Sequence, residues 1–145
     1  MNIKYFLLTG MIFLIFGCSK TSVELFKIAE EHLKQDNVNE AISNLELLIS
    51  KYPNDSLSSK AQYKLASVYL NWKDDISLGF EALEKTVNNY SKTIHATQAK
   101  KEIELFPKFL IDKAESLRKR KKLKESVDHL MYLIKNYSGN DFASK

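Results

Sequence analysis

Few side chains in this sequence have the reactivity that catalysis or ligation needs: one cysteine and three histidines among 145 residues, with four glycines to shape loops around them. Cys18 has no second thiol to pair with inside the chain, which leaves an inert buried thiol, a link between chains or a site of modification. His32, His95 and His129 each stand alone, with no second histidine or cysteine at ligand spacing and no HExxH, so no zinc or iron centre is expected. His32 falls on the apolar face of a helical pattern and is expected to be a packed, hydrogen-bonded core residue; His129, beside Leu130, is expected at the surface. There is no GxSxG, GxxxxGK[ST] or GxGxxG. Hydrolytic, phosphoryl-transfer and dinucleotide chemistry therefore lack their residues, and neither a catalytic group nor a cofactor is expected.

The position of Cys18 narrows its role. Met1–Lys4 carries one positive charge and no acid, and Tyr5–Phe16 is almost wholly apolar, the layout of a secretory signal. The run falls short of the roughly 20 apolar residues that cross a bilayer. Ile15-Phe16-Gly17-Cys18 resembles the lipobox of bacterial lipoproteins, with an aliphatic residue three before the cysteine and a small one just before it. The resemblance implies a diacylglycerol on the Cys18 thiol, removal of residues 1–17 as signal peptide, acylation of the new amino terminus, and residues 18–21 as tether. At about 0.8 kcal/mol per buried methylene, two or three acyl chains hold a folded domain on a membrane where one would not. Ser19, not aspartate, resembles the outer-membrane address of enteric lipoproteins. Cleavage leaves one domain's length of chain and lowers the formal charge from +4 to +3, because Lys4 leaves with no acid.

The strongest charge feature is RKRKKLKE, whose Arg118, Lys119, Arg120, Lys121, Lys122 and Lys124 form a basic surface. Basic residues at a helix end complement its dipole and keep a turn solvated. The same residues fit anionic headgroups or an acidic partner, at about 1 kcal/mol each near a charged surface. Nucleic acid fits the charge alone and conflicts with the export signal.

The elements that position these groups are helices. Glu40–Asp55, Leu78–Lys92 and Glu125–Asp141 share a small residue (Ala41, Gly79, Ser126), leucine four later (Leu45, Leu83, Leu130), a β-branched residue at eight (Ile49, Val87, Ile134) and tyrosine at eleven (Tyr52, Tyr90, Tyr137). Those offsets lie on one helical face. Amphipathic stretches precede each, with Leu25, Ile28, Ala29 and His32 inward in the first, Ala61, Leu65, Ala66 and Tyr69 in the second, and Leu110, Ala114 and Leu117 in the last. Thr21 with Glu24 and Asn37 with Glu40 read as capping boxes, and Pro53-Asn54-Asp55-Ser56 ends one helix and caps the next. No alternating β-branched run predicts a strand. Ala96, Ala99, Ile103 and Phe106 predict an extra helix over 94–106, with a kink or break at Pro107, where proline costs a helix about 3 kcal/mol.

The spacing from Ala29 to Ala41, Ala66 to Gly79 and Ala114 to Ser126 resembles the tetratricopeptide repeat family, as does Pro53 after the second helix; Ser91 and Ser138 stand where later prolines would fall, and Lys113 takes a usually apolar position. The resemblance implies an all-α fold of antiparallel helix hairpins stacked in a short right-handed solenoid over residues 22–138, with units near 22–53, 57–91 and 108–138 and a tail at 139–145. It also implies a concave groove lined by the first helices, at Phe26, Lys34, Tyr63, Ser67, Leu70 and Asn71. Trp72 sits in the turn of the second unit.

Signal, lipobox and YPND-type repeats together resemble the BamD-type lipoproteins of outer-membrane protein assembly. This implies a cell-envelope scaffold, anchored to the outer membrane by the lipid on Cys18, facing the periplasm and binding an envelope protein or extended peptide, with no nucleic acid. The alternatives are a tetratricopeptide protein coordinating envelope or cell-wall machinery, and a peripheral envelope enzyme or carbohydrate-binding module, which needs a cleft of paired acids or aromatics. The last helix carries more apolar residues than one neighbour covers, so it is expected to dock a partner or form a homo-oligomer.

Overall fold

The first helix starts where the sequence places its cap. Thr21 accepts a hydrogen bond from the Glu24 amide at 3.3 Å while the Glu24 carboxylate accepts from the Thr21 amide at 2.8 Å, a complete capping box. The computed structural model describes residues 19–138; Cys18, the signal segment 1–17 and the tail 139–145 lie outside the described residues. Six helices follow: α1 (Ser22–Lys34), α2 (Val38–Lys51), α3 (Ser56–Val68), α4 (Ile76–Asn89), α5 (Ile94–Lys119) and α6 (Leu123–Tyr137). Asp55, Asp75 and Thr93 cap α3, α4 and α5 through side-chain oxygens that accept from Leu57, Leu78 and Ala96 amides. The second expected capping box is absent: the Asn37 side-chain amide donates to Gln35 Oε1 at 3.2 Å, and α2 begins without a side-chain cap.

Each hairpin reverses at a left-handed residue that is not glycine: Asp36 (φ 61°), Asp74 (φ 55°) and Lys121 (φ 60°). In the first and third turns the next amide bonds back to the last turn of the helix, Asn37 to the His32 carbonyl at 2.8 Å and Lys122 to Leu117 at 2.9 Å, which absorbs carbonyls the helix end leaves free. The second unit carries one residue more between its small residues than the other two. A π-helical turn over Tyr69–Lys73 takes up that residue, and Asp75 reaches back to the Tyr69 carbonyl at 2.9 Å.

Consecutive helices pack in hairpins, and α1 touches α3 as α3 touches α5, so the first helices of the hairpins share one side of the molecule. Ala29 against Ala41, both fully buried, allows close approach in the first hairpin; in the third, Ser126 Oγ donates to the Ala114 carbonyl at 2.7 Å. Gly79 lets the chain approach Leu70 closely: a Cβ there would meet Leu70 Cδ2 at 2.4 Å and force that side chain to shift. Among the described residues the fold is all-α, as the repeat pattern predicts.

Helix α5 runs unbroken through Pro107 for 26 residues, so the extra helix and the first helix of the third unit are one element, and no helix end falls near Phe106. The proline penalty of about 3 kcal/mol is local. Ala96, Ala99 and Phe106 before it and Leu110, Ala114 and Leu117 after it are all buried, and each large side chain contributes about 1.5–3 kcal/mol. Packing on both sides of the proline outweighs it.

The last helix departs from its expected face. Leu45 and Leu83 are fully buried, whereas Leu130 is 40% and Ile134 58% exposed. Helix α6 instead buries Ser126, His129 and Leu133 against α5. His129, expected at the surface, is 3% exposed, its Nδ1 2.8 Å from the Glu125 carbonyl. The side bearing Leu130 and Ile134 has no following helix among the described residues. His32 is half-buried, and its Nδ1 has no hydrogen-bond partner among the described residues, against the satisfied core residue expected.

Candidate functional site

The side shared by α1, α3 and α5 carries four depressions that run into one another. Glu30, Leu33, Lys34, Lys64 and Trp72 line the first; Lys64 leads to a second with Lys60, Tyr63, Ser67, His95 and Gln98. Tyr63 and Ser67 lead on to a third of about 290 Å³, where they meet Leu70, Asn71, Glu102, Leu105, Phe106 and Phe109. Leu105 and Phe109 continue into a fourth beside Lys108, Asp112, Lys113 and Ser116. Regular helices give this track its spacing, since Tyr63, Ser67 and Leu70 on α3 and its π-helical extension, and Glu102, Leu105 and Phe109 on α5, recur every three or four residues.

The third depression is apolar below and polar at its rim. Leu70 and Phe106 form its floor, 6% and 1% exposed, and Phe106 stacks on Phe109 at 5.4 Å. The Tyr63 hydroxyl donates to the Glu102 carboxylate, a link between α3 and α5. Burial, reinforced by that carboxylate, pushes the Tyr63 phenol up to about 12, so it stays a donor at neutral pH. The Asn71 amide donates to the Ser67 carbonyl at 3.0 Å. Such a site can seat an apolar side chain while its rim meets peptide N–H and C=O groups.

His95 lies in the second depression, Nδ1 3.0 Å from Ser59 Oγ. The Ser59 hydroxyl also lies 3.2 Å from the Ser56 carbonyl. Burial, helped by the charge of Lys60, holds the imidazole below its ordinary value. A depressed folded-state value contributes stability that is present above the unfolded value of about 6.5 and lost as pH falls through the folded one. Thermal unfolding midpoints are accordingly expected to drop more for the wild type than for His95→Gln between about pH 7.5 and pH 5; parallel drops would refute this.

Four groove positions expected from the sequence, Tyr63, Ser67, Leu70 and Asn71, come together in the third depression. Lys34 lies in the first, beside Trp72, which is 43% exposed. Phe26 is buried at 6% exposure, its ring 4.5 Å from the Lys60 ammonium, and it packs between helices. The sequence reading missed the α5 wall of Glu102, Leu105, Phe106 and Phe109; the signal was the 102, 105, 109 spacing once α5 is taken as a first helix of a hairpin. Arg118, Lys119, Arg120, Lys121, Lys122 and Lys124 are all exposed, Lys119 3.2 Å from Glu115 and Lys122 3.7 Å from Glu125.

Lys113, the polar intruder in the third unit, finds Asp74: its ammonium lies 3.1 Å from Asp74 Oδ1, while His129 Nε2 approaches the same oxygen to 3.9 Å. The Lys113 contact is ionic, since no hydrogen-bond donor is aligned on that oxygen. Among the described residues, no group of three or more histidine, cysteine, aspartate or glutamate side chains could hold a metal ion, and no helix is long and apolar enough to cross a membrane.

Sequential helix hairpins with an open track along their first helices define an all-α helical-repeat fold. No curated protein matches the chain. A family model described as outer membrane lipoprotein, YfiO, matches residues 19–145, and the chain belongs to that BamD-type family.

Proposed function

We propose that this chain is a lipid-anchored scaffold of outer-membrane protein assembly that holds an extended segment of an envelope protein along α1, α3 and α5. The observation that carries the reading is the continuity of the track, each depression sharing residues with the next. Association costs at least about 4 kcal/mol in lost freedom, and one seated apolar side chain returns roughly 1.5–3 kcal/mol. A ligand must therefore engage several depressions, which an extended peptide does. The lysines at one end (Lys34, Lys60, Lys64) favour a segment carrying acid there, and the Leu105–Phe109 end favours an apolar residue. Anchoring through Cys18 keeps this surface at the membrane, and membership of an outer membrane lipoprotein family supports that role.

Photocrosslinking in cells tests it. A photoreactive residue at Ser67 or Asn71 is expected to trap a discrete envelope protein, in wild-type Cys18 cells far more than in Cys18→Ala cells, and a probe at exposed Lys85 on α4 is expected to trap none. Equal trapping from Lys85, or none from the groove, would refute the reading.

A further inference from the structure

A further depression of about 250 Å³ opens between α2, α3 and α4 and shares no residue with the groove. Ile49, Leu65 and Ala82 give it apolar walls, and Glu46, Tyr69 and Glu81 bring oxygen atoms to it. Gln62 lines it too. That side chain is only 6% exposed, and among the described residues its amide has no hydrogen-bond partner. Burying an unpaired amide is costly, so folded proteins rarely leave one. On α3, which packs against both α2 and α4, an apolar residue of the same size would avoid that cost.

The other polar groups supply an excess of acceptors. The Tyr69 hydroxyl gives its proton to Glu46 Oε1 at 3.3 Å, which leaves its own lone pairs free. Burial, then the charge of Glu46, pushes the Tyr69 phenol above its ordinary value, and Asp75 and Glu81 add to the same negative field. Lys85 lies 2.7 Å from Glu81, but both side chains are more than half exposed and such a pair is weak. Glu46 enters no ion pair among the described residues, and its one hydrogen bond there is from Tyr69. We propose that this depression binds a small aliphatic amine cation, its ammonium held by Glu46 and the Gln62 amide oxygen and its stem lying along Leu65 and Ala82. An ammonium brings donors alone, the kind of group this rim lacks. The apolar walls call for a carbon stem behind it. An anion would meet two carboxylates and one lysine.

Equilibrium dialysis of the full chain in zwitterionic nanodiscs against radiolabelled putrescine, corrected for empty nanodiscs, tests this. A single saturable site is expected. Glu46→Gln and Gln62→Leu should each weaken it about tenfold, because each removes a hydrogen bond to a charged group. Lys85→Gln, which takes away a competing cation, should tighten it about threefold. Glu84→Gln, exposed on α4 outside the depression, should leave it unchanged. Gln62→Leu keeps the volume and removes the unpaired amide, so its thermal midpoint should equal or exceed that of the wild type, and lost binding there is not lost fold. Absence of saturable binding overturns the proposal, as does full binding by Gln62→Leu or weaker binding by Lys85→Gln. Equal weakening by Glu84→Gln would assign the binding to diffuse surface charge, and competition by neutral butanediol as strong as by putrescine would assign it to shape; either result overturns the proposal.

Discussion

Phe106→Ala is expected to cost about 3–5 kcal/mol of unfolding free energy, a large share of the 5–15 kcal/mol that holds a domain of this size together. Phe106 is 1% exposed and lies 4.8 Å from Phe80 on α4, 5.4 Å from Phe109 on α5 and 6.3 Å from Tyr132 on α6. One ring thus holds three helices, and each aromatic pair adds about 0.5–1.5 kcal/mol beyond burial. Alanine also removes the floor of the third groove depression. Phe106→Leu, which fills most of the volume, should cost under half as much. Urea unfolding of the three proteins checks this, and a loss below about 1 kcal/mol for alanine would show that the helices are held elsewhere.

Asp74→Ala is expected to cost about 3 kcal/mol, against about 1 kcal/mol for Asp36→Ala. Both residues sit in the left-handed region at equivalent turns, where alanine is strained by roughly 1–2 kcal/mol. Only Asp74 faces Lys113 and His129, so its loss also leaves a partly buried ammonium without its counter-charge. Removing one partner of a fully buried pair costs about 3–5 kcal/mol, and the side-chain exposures of 23% for Lys113 and 31% for Asp74 reduce that by about half. Asp74→Asn keeps the backbone preference and loses the charge, and should fall between the two. Equal costs at positions 36 and 74 would show that the ion pair contributes nothing.

The periodic parts of this fold were legible because they are local. Thr21 and Asp55 cap helices as their types and positions dictate, and the shared small residues mark the hairpin crossings. Pro107 does not end the helix, because its penalty is local and burial of Phe106 and Leu110 on either side outweighs it. His129 and Leu130 exchanged places for a different reason: the leucine pattern was transferred from helices with two neighbours to one that has a single neighbour among the described residues. The groove was half legible. Its α3 side follows from the repeat, but its α5 side depended on seeing 94–119 as one helix.

The turns at Asp36, Asp74 and Lys121 amount to one joint used three times. An aspartate twice and a lysine once take the same left-handed φ, so the joint tolerates either sign of charge, while the approach to it differs, a π-helical turn leading into Asp74 alone. Positions 36 and 121 are then spare in chemistry though fixed in shape, places where charge can be added or removed while the stack keeps its form. Position 74 has been given a second task, tying its joint to the hairpin that follows, and there alone the residue type is no longer free.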